Sequence, residues 1–502
     1  MTYPKDSIHR NPDDYAQNNY DLIVVGGGIY GIMLSLEAAR RNLRCLLLER
    51  DDFGFHTSAN HLRILHGGLR YLQSLDFKRF RESVSERSWF LSQFPELTSP
   101  IDCLMPLSGR GVYRPVVFNA ALTIDTLAAW DKNHQIPGKN RLLRGYTCSA
   151  DEVRRLVPDL SSDFIGGALW QDGFILDPLR LQIELLRWSC GYGTHALNYC
   201  SAEKLVVEKG AVTGVGALDH SCNKQYMFRA PLVVNAAGPW CRQLAAFWDR
   251  DIPEIFPHRI LVWNLLIKRP ALSTAAVALT VPQNKHTYFV VPWHGKMLAG
   301  TGHALLDPNT HRPPTEAELA RMLDGINSVL GSENIALGDV QKVYWGVMPG
   351  SADCQLGKRP VIHDHGQKGG PSGFVTVSGV KFTTARKVAE QAMKRFFPNY
   401  QKRKKFKPLC EGGDRWKSLN TGIIDEWRNL FQEESIVSLA DAILRRSDYL
   451  ASLEWTEKSI SDIASLFIEK QSHQQKEIQK TVTEMNSLFT SLRGNNEPAK
   501  WL

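Results

Sequence analysis

Three glycines near the start of the chain have the spacing that lets a polypeptide hold a dinucleotide. Gly26, Gly28 and Gly31 form a G-x-G-x-x-G pattern. In such a pattern the first glycine permits a tight turn, the second lets the backbone approach a pyrophosphate, and the third lets a helix pack closely on a strand. The amide groups at the start of that helix then face the phosphates. These residues therefore predict a phosphate-binding turn.

The elements that position this turn follow from the apolar pattern around it. Leu22–Val25 and Cys45–Leu48 are short continuous apolar runs, which is typical of buried parallel strands. Residues Ile29 to Arg41, between them, have helical spacing. Glu49 ends the second strand, where a carboxylate can accept hydrogen bonds from the ribose hydroxyls of adenosine. This βαβ unit predicts dinucleotide binding and leaves the choice between FAD and NAD open.

The rest of the chain predicts an α/β protein of more than one domain. For 502 residues, two or three domains are expected. A mostly antiparallel sheet is predicted between residues 256 and 346, and mostly helical structure between 420 and 490. The other predicted elements are helices at 77–94 and 383–396, a hairpin at 202–219, and buried strands at 232–234 and 374–377.

Charge and composition exclude some classes of protein. Lys and Arg number 60 and Asp and Glu 52, giving a formal net charge of +8. This mild excess does not argue for nucleic acid and suits an anionic substrate, an anionic cofactor or an acidic membrane surface. The nine cysteines lack metal-ligand spacing, which predicts a reduced, cytoplasmic protein without a metal site. The polar first twenty residues predict no signal peptide, and no apolar run is long enough for a membrane span, so that only peripheral attachment stays open.

Several segments beyond the glycine turn carry short, specific motifs. They are Thr57-Ser58, His66-Gly67-Gly68-Leu69-Arg70-Tyr71-Leu72, Val234-Asn235-Ala236-Ala237-Gly238-Pro239-Trp240, Gly379-Val380-Lys381-Phe382-Thr383-Thr384-Ala385-Arg386-Lys387, Ser438-Leu439-Ala440-Asp441 and Leu444-Arg445-Arg446. Together with the glycine turn and Glu49 they resemble the FAD-dependent glycerol-3-phosphate dehydrogenases of the D-amino-acid-oxidase-like flavoprotein superfamily. The HGGLRYL and GxKxTTxRK stretches are specific to that family, and the similarity extends over most of the chain.

The resemblance implies an α/β fold made of a Rossmann-like FAD-binding domain, an antiparallel β-sheet substrate domain and a C-terminal helical domain. The implied boundaries are 1–19 for a polar N-terminal arm, 20–105, 166–245 and 346–398 for the discontinuous FAD-binding domain, 106–165 and 246–345 for the substrate domain, and 399–502 for the helical domain.

The resemblance also implies noncovalent FAD and a set of residues that bind it. The implied cofactor-binding residues are Gly26, Gly28, Gly31, Glu49, Thr57, Ser58, His66, Gly67, Gly68, Gly238, Gly379, Lys381 and Thr383.

The implied substrate site carries positive charge. Arg70, Tyr71 and Lys381 fall where the family holds its phosphate-bearing substrate, and Arg70 and Lys381 are expected to act in catalysis. A guanidinium, an ammonium and a hydroxyl suit a phosphate. The alternatives are a structural ion pair for Arg70 and a flavin-side contact for Lys381. His303 is the candidate proton acceptor, with a surface loop histidine as its alternative.

Two segments depart from the family pattern. Where the family has Gly-Val-Arg-Pro, this chain has Gly-Val-Met-Pro at 346–349, and Met348 at the substrate position cannot pair with an anion. Where the family has Arg-x-x-Lys-Gly-Ser-His, residues 259–265 read Arg-Ile-Leu-Val-Trp-Asn-Leu. These changes predict an intact cofactor half and a remodelled substrate half. Tryptophans such as Trp263 either line a more apolar pocket or are core residues.

The expected activity is oxidation of an alcohol, phosphorylated or not, by hydride transfer to flavin N5. The alternatives are an amine or amino-acid oxidase of the same superfamily and a non-catalytic flavoprotein. A quinone or oxygen is the expected electron acceptor. The basic run Lys402–Lys407 is either a solvated linker or a contact with acidic lipid at the inner face of the membrane. Substrate identity and oligomeric state stay open.

Overall fold

The computed structural model describes residues 6–72, 74–161, 163–253, 256–307, 310–331, 334–408, 424–446 and 463–467. Its strands are β1 Leu22–Val25, β2 Cys45–Leu48, β3 Ile64–Leu65, β4 Thr98–Leu107, β5 Tyr146–Ser149, β6 Gly166–Ile175, β7 His195–Leu197, β8 Cys200–Glu208, β9 Ala211–Asp219, β10 Lys224–Arg229, β11 Val233–Asn235, β12 His258–Pro270, β13 Ala276–Thr280, β14 Thr287–Trp293, β15 Lys296–Leu306, β16 Val340–Gly350, β17 Val361–Asp364 and β18 Phe374–Ser378.

Its α-helices are α1 Pro12–Tyr15, α2 Ile29–Ala39, α3 Leu69–Leu72, α4 Phe77–Gln93, α5 Pro115–Ala128, α6 Ala150–Leu156, α7 Pro178–Cys190, α8 Cys241–Trp248, α9 Glu316–Asn327, α10 Ala385–Phe396 and α11 Ile424–Glu433. Short 3₁₀ turns occupy Gly111–Tyr113, Gly138–Asn140, Gly238–Trp240, Leu337–Asp339 and Gly366–Lys368, and Asp441–Arg446 is a π-helix. Among the described residues, no helix has the length and apolar character needed to cross a membrane.

The chain forms two compact units. The first contains the described residues within Met1–Ala59, Asp177–Arg259 and Met348–Arg493, and the second contains those within Asn60–Leu176 and Ile260–Val347. Each unit therefore combines segments that are distant in sequence.

A six-stranded sheet forms the centre of the first unit, in the order β17-β18-β11-β1-β2-β7. The neighbours β7, β2, β1, β11 and β18 run parallel, and β17 is antiparallel at the edge. Every residue of β1 is buried because the strand lies in the middle of the sheet, which explains its uninterrupted apolar sequence. The carboxyl ends of the parallel strands share one edge, where ligands bind in sheets of this kind.

The second unit contains the larger sheet, with the order β16-β12-β15-β14-β13-β4-β6-β3 and β5 paired to β6. Strand β14 is antiparallel to β13 and to β15. Strands β4 and β6 pair over their whole length, from Thr98 opposite Ile175 to Leu107 opposite Gly166. The mostly antiparallel sheet predicted for residues 256–346 is therefore present, and it also recruits earlier strands.

The compact units and the predicted domain boundaries divide the chain at different places. Residues 60–105 and 166–176 belong to the second unit because β3 and β4 each pair with β6 there. Residues 246–259 belong to the first unit. The boundaries of the cofactor and substrate domains remain predictions.

The predicted C-terminal helices are described only in part. Helix α11, the π-helix and the helical residues 463–467 lie within the predicted range, and the remaining residues after 408 lie outside the described part. Buried apolar side chains of this region form a small core of their own, which includes Trp427, Phe431, Leu439, Ile443 and Phe467.

Candidate functional site

The glycine turn has the geometry that its spacing predicts. Gly26 has a φ of +109°, and a Cβ there would lie 2.6 Å from the carbonyl oxygen of Ala236. A Cβ on Gly31 would lie 1.8 Å from the carbonyl oxygen of Gly26. Gly28 is less crowded, because its Cβ would be 3.1 Å from Ser58 Oγ. The backbone of this turn is thus packed closely enough that the first and third glycines tolerate no side chain.

The start of helix α2 carries no capping side chain on its N-cap residue. Its N-cap is Gly28, which has no side chain to cap the helix, so the amide dipoles there favour negative charge. Ser58 Oγ accepts a hydrogen bond from the Ile29 amide at 3.0 Å. Thr57 lies half-buried beside Ser58 in the same turn. A glycine cap and a neighbouring hydroxyl fit the pyrophosphate of FAD.

Glu49 is buried at the carboxyl end of β2, next to the glycine turn. Its Oε2 accepts the Gly27 amide at 2.5 Å and its Oε1 accepts the Asp51 amide at 2.9 Å. Burial raises the pKa of Glu49, and these amide hydrogen bonds oppose that shift. A carboxylate in this position fits the ribose of the ADP half of FAD.

A cluster that sequence reasoning missed surrounds Glu49. Asp51 Oδ2 pairs with His56 Nε2 at 2.8 Å and with Arg50 Nε at 3.0 Å. The His56 hydrogen bond is the main cause that lowers the pKa of Asp51 to about 2. The Trp240 ring lies 5.1 Å from the His56 ring and 5.2 Å from the Arg50 guanidinium carbon. The Asn-Ala-Ala-Gly-Pro-Trp motif contains Trp240, and its aromatic residue is the signal that could have pointed to this cluster.

Tyr30, beside the glycine turn, contacts the segment 379–384 that follows β18. Sequence reasoning did not single out this tyrosine. Tyr30 Oη donates to the carbonyl oxygen of Lys381 at 2.9 Å. A Cβ on Gly379 would lie 1.7 Å from Tyr30 Cζ, so only glycine fits beneath this ring. Burial raises the pKa of Tyr30 to about 12. Within the first unit, the segments that carry Gly26, Glu49 and Lys381 are thereby brought together.

The other predicted site residues of the first unit differ in their surroundings and exposure. Gly238 follows β11 with a φ of +56° and open space around its Cβ position. Thr383 is buried, whereas the Lys381 side chain is exposed. Met348 is half-buried and packs against an apolar cluster of this unit that includes Phe256.

In the second unit, Asp172 organises the His-Gly-Gly turn. Its carboxylate accepts the Gly67 amide at 2.7 Å and Arg87 Nη1 at 2.6 Å, and it lies 3.2 Å from His66 Nδ1. Although burial would raise the pKa of Asp172, its contacts with His66 and Arg87 outweigh burial and lower that pKa to about 2. Gly68 follows with a φ of +85°. Asp172 lies more than a hundred residues from this turn and had no sequence signal.

Helix α3 presents the predicted substrate residues of the second unit. Arg70 is exposed, and within the described residues it forms no ion pair, which disfavours its structural alternative. Tyr71 is half-buried, and its amide donates to the Gly68 carbonyl oxygen at 2.8 Å. The Arg70 guanidinium is therefore available to an anion.

His303 lies on β15 with an exposed side chain, 5.1 Å from the ring of His286. His286 Nε2 donates to the Thr301 carbonyl oxygen at 3.1 Å. Burial lowers the pKa of His286, and the positive charge of Arg70 adds to that shift. The structure thus places a second imidazole, that of His286, beside the predicted proton acceptor His303.

Within the departure at residues 259–265, residues 260–265 are buried. Trp263 is only 3% exposed and packs with Leu261 and Leu265 in the main apolar cluster of the second unit. Trp293 packs against Arg63, whose guanidinium carbon lies 3.9 Å from its ring centre. Trp263 is therefore a core residue rather than the wall of a pocket.

The model of the FAD-dependent oxidoreductase family matches residues 21–392 of this chain. The chain belongs to this family. The prediction of an α/β flavoprotein fold is thereby confirmed, and the cofactor of this FAD-dependent oxidoreductase is FAD.

This FAD-dependent oxidoreductase is similar to several glycerol-3-phosphate dehydrogenases. The glycerol-3-phosphate dehydrogenase of Synechocystis sp. is 28% identical over 423 residues, which cover 80% of this chain and 73% of that protein. The aerobic glycerol-3-phosphate dehydrogenase of Bacillus subtilis is 27% identical over 390 residues, which cover 75% of this chain and 66% of that protein. The crystal structure of the Bacillus halodurans glycerol-3-phosphate dehydrogenase complexed with FAD matches with a TM-score of 0.70 at 18% identity, covering 97% of this chain and 98% of that chain.

Proposed function

We propose that this FAD-dependent oxidoreductase oxidises an alcohol that bears a phosphate. The exposed guanidinium of Arg70, without an ion pair among the described residues, carries the proposal. A guanidinium fork binds phosphate in a bidentate manner. The named relatives, which are glycerol-3-phosphate dehydrogenases, support the same substrate class.

The side chains of each unit have distinct parts in the proposed reaction. FAD, when bound, would supply the two-electron acceptor for oxidation of the alcohol. In the second unit Arg70 and the Tyr71 hydroxyl bind the phosphate, and His303 accepts the hydroxyl proton as the carbonyl forms. Burial lowers the pKa of His303, and His286, 5.1 Å away, adds to that shift, which favours the neutral imidazole that can accept a proton. In the first unit Gly28, Ser58 and Glu49 would hold the ADP half of FAD, and Lys381 remains a proposed contact of the flavin or substrate.

Anaerobic bleaching of the flavin tests this function. We expect glycerol 3-phosphate or another polyol phosphate to bleach the flavin, because Arg70 binds the phosphate, and unphosphorylated polyols and amines to do so far more slowly. Arg70→Gln should lower kcat/KM for the phosphorylated alcohol by about tenfold to a hundredfold, since a charged hydrogen bond contributes about 1.5–3 kcal/mol. Arg154→Gln, which removes an exposed arginine paired with Asp151, is the control.

Faster bleaching by an amine than by any polyol phosphate would overturn the proposal in favour of an amine oxidase. Absence of bleaching by every substrate would favour a non-catalytic flavoprotein.

We further propose that the electrons pass to a quinone at an acidic membrane surface. The protein would attach to this surface by an apolar face of helix α5. Val116, Leu127 and Trp130 on and after this helix are 81%, 71% and 83% exposed. We name the exposed apolar residues here the α5 surface; it comprises Val112, Val116, Val117, Ile124, Leu127 and Trp130. The exposed arginines Arg110 and Arg114 precede the helix. Exposed apolar side chains on one helix next to basic residues are typical of attachment to acidic lipid.

The basic run Lys402–Lys407 is less suited to that contact. Arg403 Nε donates to the Ala39 carbonyl oxygen at 3.1 Å, and Lys402 pairs with Glu390. Phe406 packs against the ring of Trp188, with ring centres 4.9 Å apart. These contacts attach the run to helices of the first unit, so we assign the proposed membrane contact to the α5 surface.

A further inference from the structure

The loop that follows Glu49 is held by an arginine from the far end of the described chain. Arg446 Nη1 and Nη2 bind the two carboxylate oxygens of Asp52 at 2.7 and 2.9 Å, and both side chains are fully buried. Although burial would raise the pKa of Asp52, the positive charge of Arg446 and its hydrogen bonds lower it. This is a bidentate buried ion pair. Removing one partner of such a pair strongly destabilises the protein, because the other charge is left buried and unpaired.

The same loop contacts the glycine turn on its other side. The Gly54 amide donates to the Gly27 carbonyl oxygen at 2.9 Å. Asp51 and His56, one residue before and four residues after Asp52, form the pair beside Glu49. The Arg445 guanidinium carbon lies 4.3 Å from the Phe55 ring centre. The loop, residues 50–58, therefore connects the C-terminal π-helix to the residues that fit the ADP half of FAD.

The C-terminal segment is also anchored by helix α7 and by Asn198, whose Nδ2 in addition donates to Asp52 Oδ1 at 2.9 Å. Glu434 accepts Arg180 Nη2 at 2.7 Å and Arg187 Nη1 at 2.9 Å, and all three side chains are buried. Asn198 Nδ2 donates to the Ser435 carbonyl oxygen at 2.8 Å. Arg180 alone binds both carboxylate oxygens of Glu434, at 2.9 and 2.7 Å, so α7 still holds the segment that carries Arg446 when Arg187 is replaced.

We propose that Arg446 is a positioning residue for the cofactor, which keeps the loop 50–58 in the shape that binds the ADP half of FAD. The C-terminal segment then acts in FAD retention and not only in stability. The inference rests on FAD as the cofactor and is independent of the proposed substrate. A failure of the phosphorylated alcohol to react would leave it untouched.

The test compares two buried arginines in the full-length protein. Arg446→Gln releases the loop, whereas Arg187→Gln removes an equally buried arginine that pairs with Asp6 and Glu434 and does not touch the loop. The apoprotein of each variant is titrated with FAD by flavin fluorescence, and its Tm is recorded without FAD. We expect both Tm values to fall. We expect the FAD Kd to rise about tenfold or more for Arg446→Gln and to stay within about twofold for Arg187→Gln, a difference of about 1 kcal/mol or more.

Removing both charges provides a second readout. Asp52→Asn combined with Arg446→Gln leaves no unpaired buried charge, so its FAD Kd should lie closer to wild type than that of Arg446→Gln alone. If Arg446→Gln does not fold, Arg445→Gln carries the test, because its side chain also faces Asp52 and Phe55. An unchanged FAD Kd in the folded loop variant, or equal losses of FAD affinity in the loop variant and Arg187→Gln, would overturn the proposal.

Discussion

Met348 stands where the resemblance to the glycerol-3-phosphate dehydrogenases implies a residue of different chemistry. The resemblance places an arginine of the substrate site there, and a thioether cannot bind a phosphate. In the structure Met348 packs against apolar side chains of the first unit, as its character requires. Position 348 therefore carries no cation, whereas Arg70 has an exposed guanidinium.

At the scale of this residue, we predict that Met348→Arg gains activity on glycerol 3-phosphate. The new guanidinium should raise kcat/KM by about tenfold to a hundredfold, because a charged hydrogen bond contributes about 1.5–3 kcal/mol. Steady-state assays with an artificial electron acceptor measure the gain. Met348→Gln, of similar size and without charge, should show little change, and an equal gain in that variant would contradict the electrostatic explanation.

Helix α5 exposes apolar side chains on its outer face. Phe118 and Leu122 are the side chains that it buries, and the apolar side chains of the α5 surface face outward. A helix in water normally places polar residues on its exposed face. Its apolar exposed face therefore indicates a partner, for which the neighbouring arginines favour acidic lipid.

For this element, we predict that the double variant Leu127→Ser, Trp130→Ser weakens membrane binding. The two side chains bury apolar area in the lipid interface, so their loss should lower binding severalfold. Sedimentation with vesicles that contain phosphatidylserine measures it, and vesicles without acidic lipid test the charge contribution. The variant Lys404→Ser, Lys405→Ser in the basic run is the matched control.

Two outcomes would count against this assignment. Equal sedimentation of the wild type and the α5 variant would exclude the α5 surface as the lipid contact. A change from dimer to monomer in the variant, seen by size-exclusion chromatography with light scattering, would instead assign the surface to a second copy of the chain.

At the scale of the molecule, the predicted cofactor residues of the first unit come from segments that are far apart in sequence. The glycine turn, the loop 50–58 and the turn after β18 are joined by the contacts of Tyr30, Glu49 and Ser58. A ligand held by several such segments stabilises the folded state over the unfolded chain. FAD binding should therefore be visible in the stability of the whole protein.

We accordingly predict that removal of FAD lowers Tm by several degrees. FAD at a hundredfold excess over its Kd contributes about 2.7 kcal/mol to stability. Differential scanning calorimetry of the apoprotein and the holoprotein measures the shift. In Gly31→Ala, whose Cβ would clash with the Gly26 carbonyl oxygen, added FAD should produce no shift. A Tm that is the same with and without FAD in the wild-type protein would contradict the prediction.

Several local elements could be predicted from the sequence alone, because the formation of a helix or strand depends largely on residues that are near one another in the chain. The strand–turn–helix–strand unit at 22–48, the helix at 77–93 and the hairpin of β8 and β9 appear where they were predicted, within a few residues. Helix α5 was missed because apolar residues occur around most of its circumference, which hides the helical period. The family motifs identified FAD because they are specific to one class of protein.

The tertiary structure alone decided which distant residues support these motifs. Asp172 holds the His-Gly-Gly turn from a position 105 residues along the chain, and Arg446 binds Asp52 across 394 residues. Such pairs have no local period or spacing, because their contact is produced by the packing of strands and helices. The sequence by itself determined the chemistry of the phosphate-binding turn, and the fold determined which charges hold that turn and its neighbouring loop in shape.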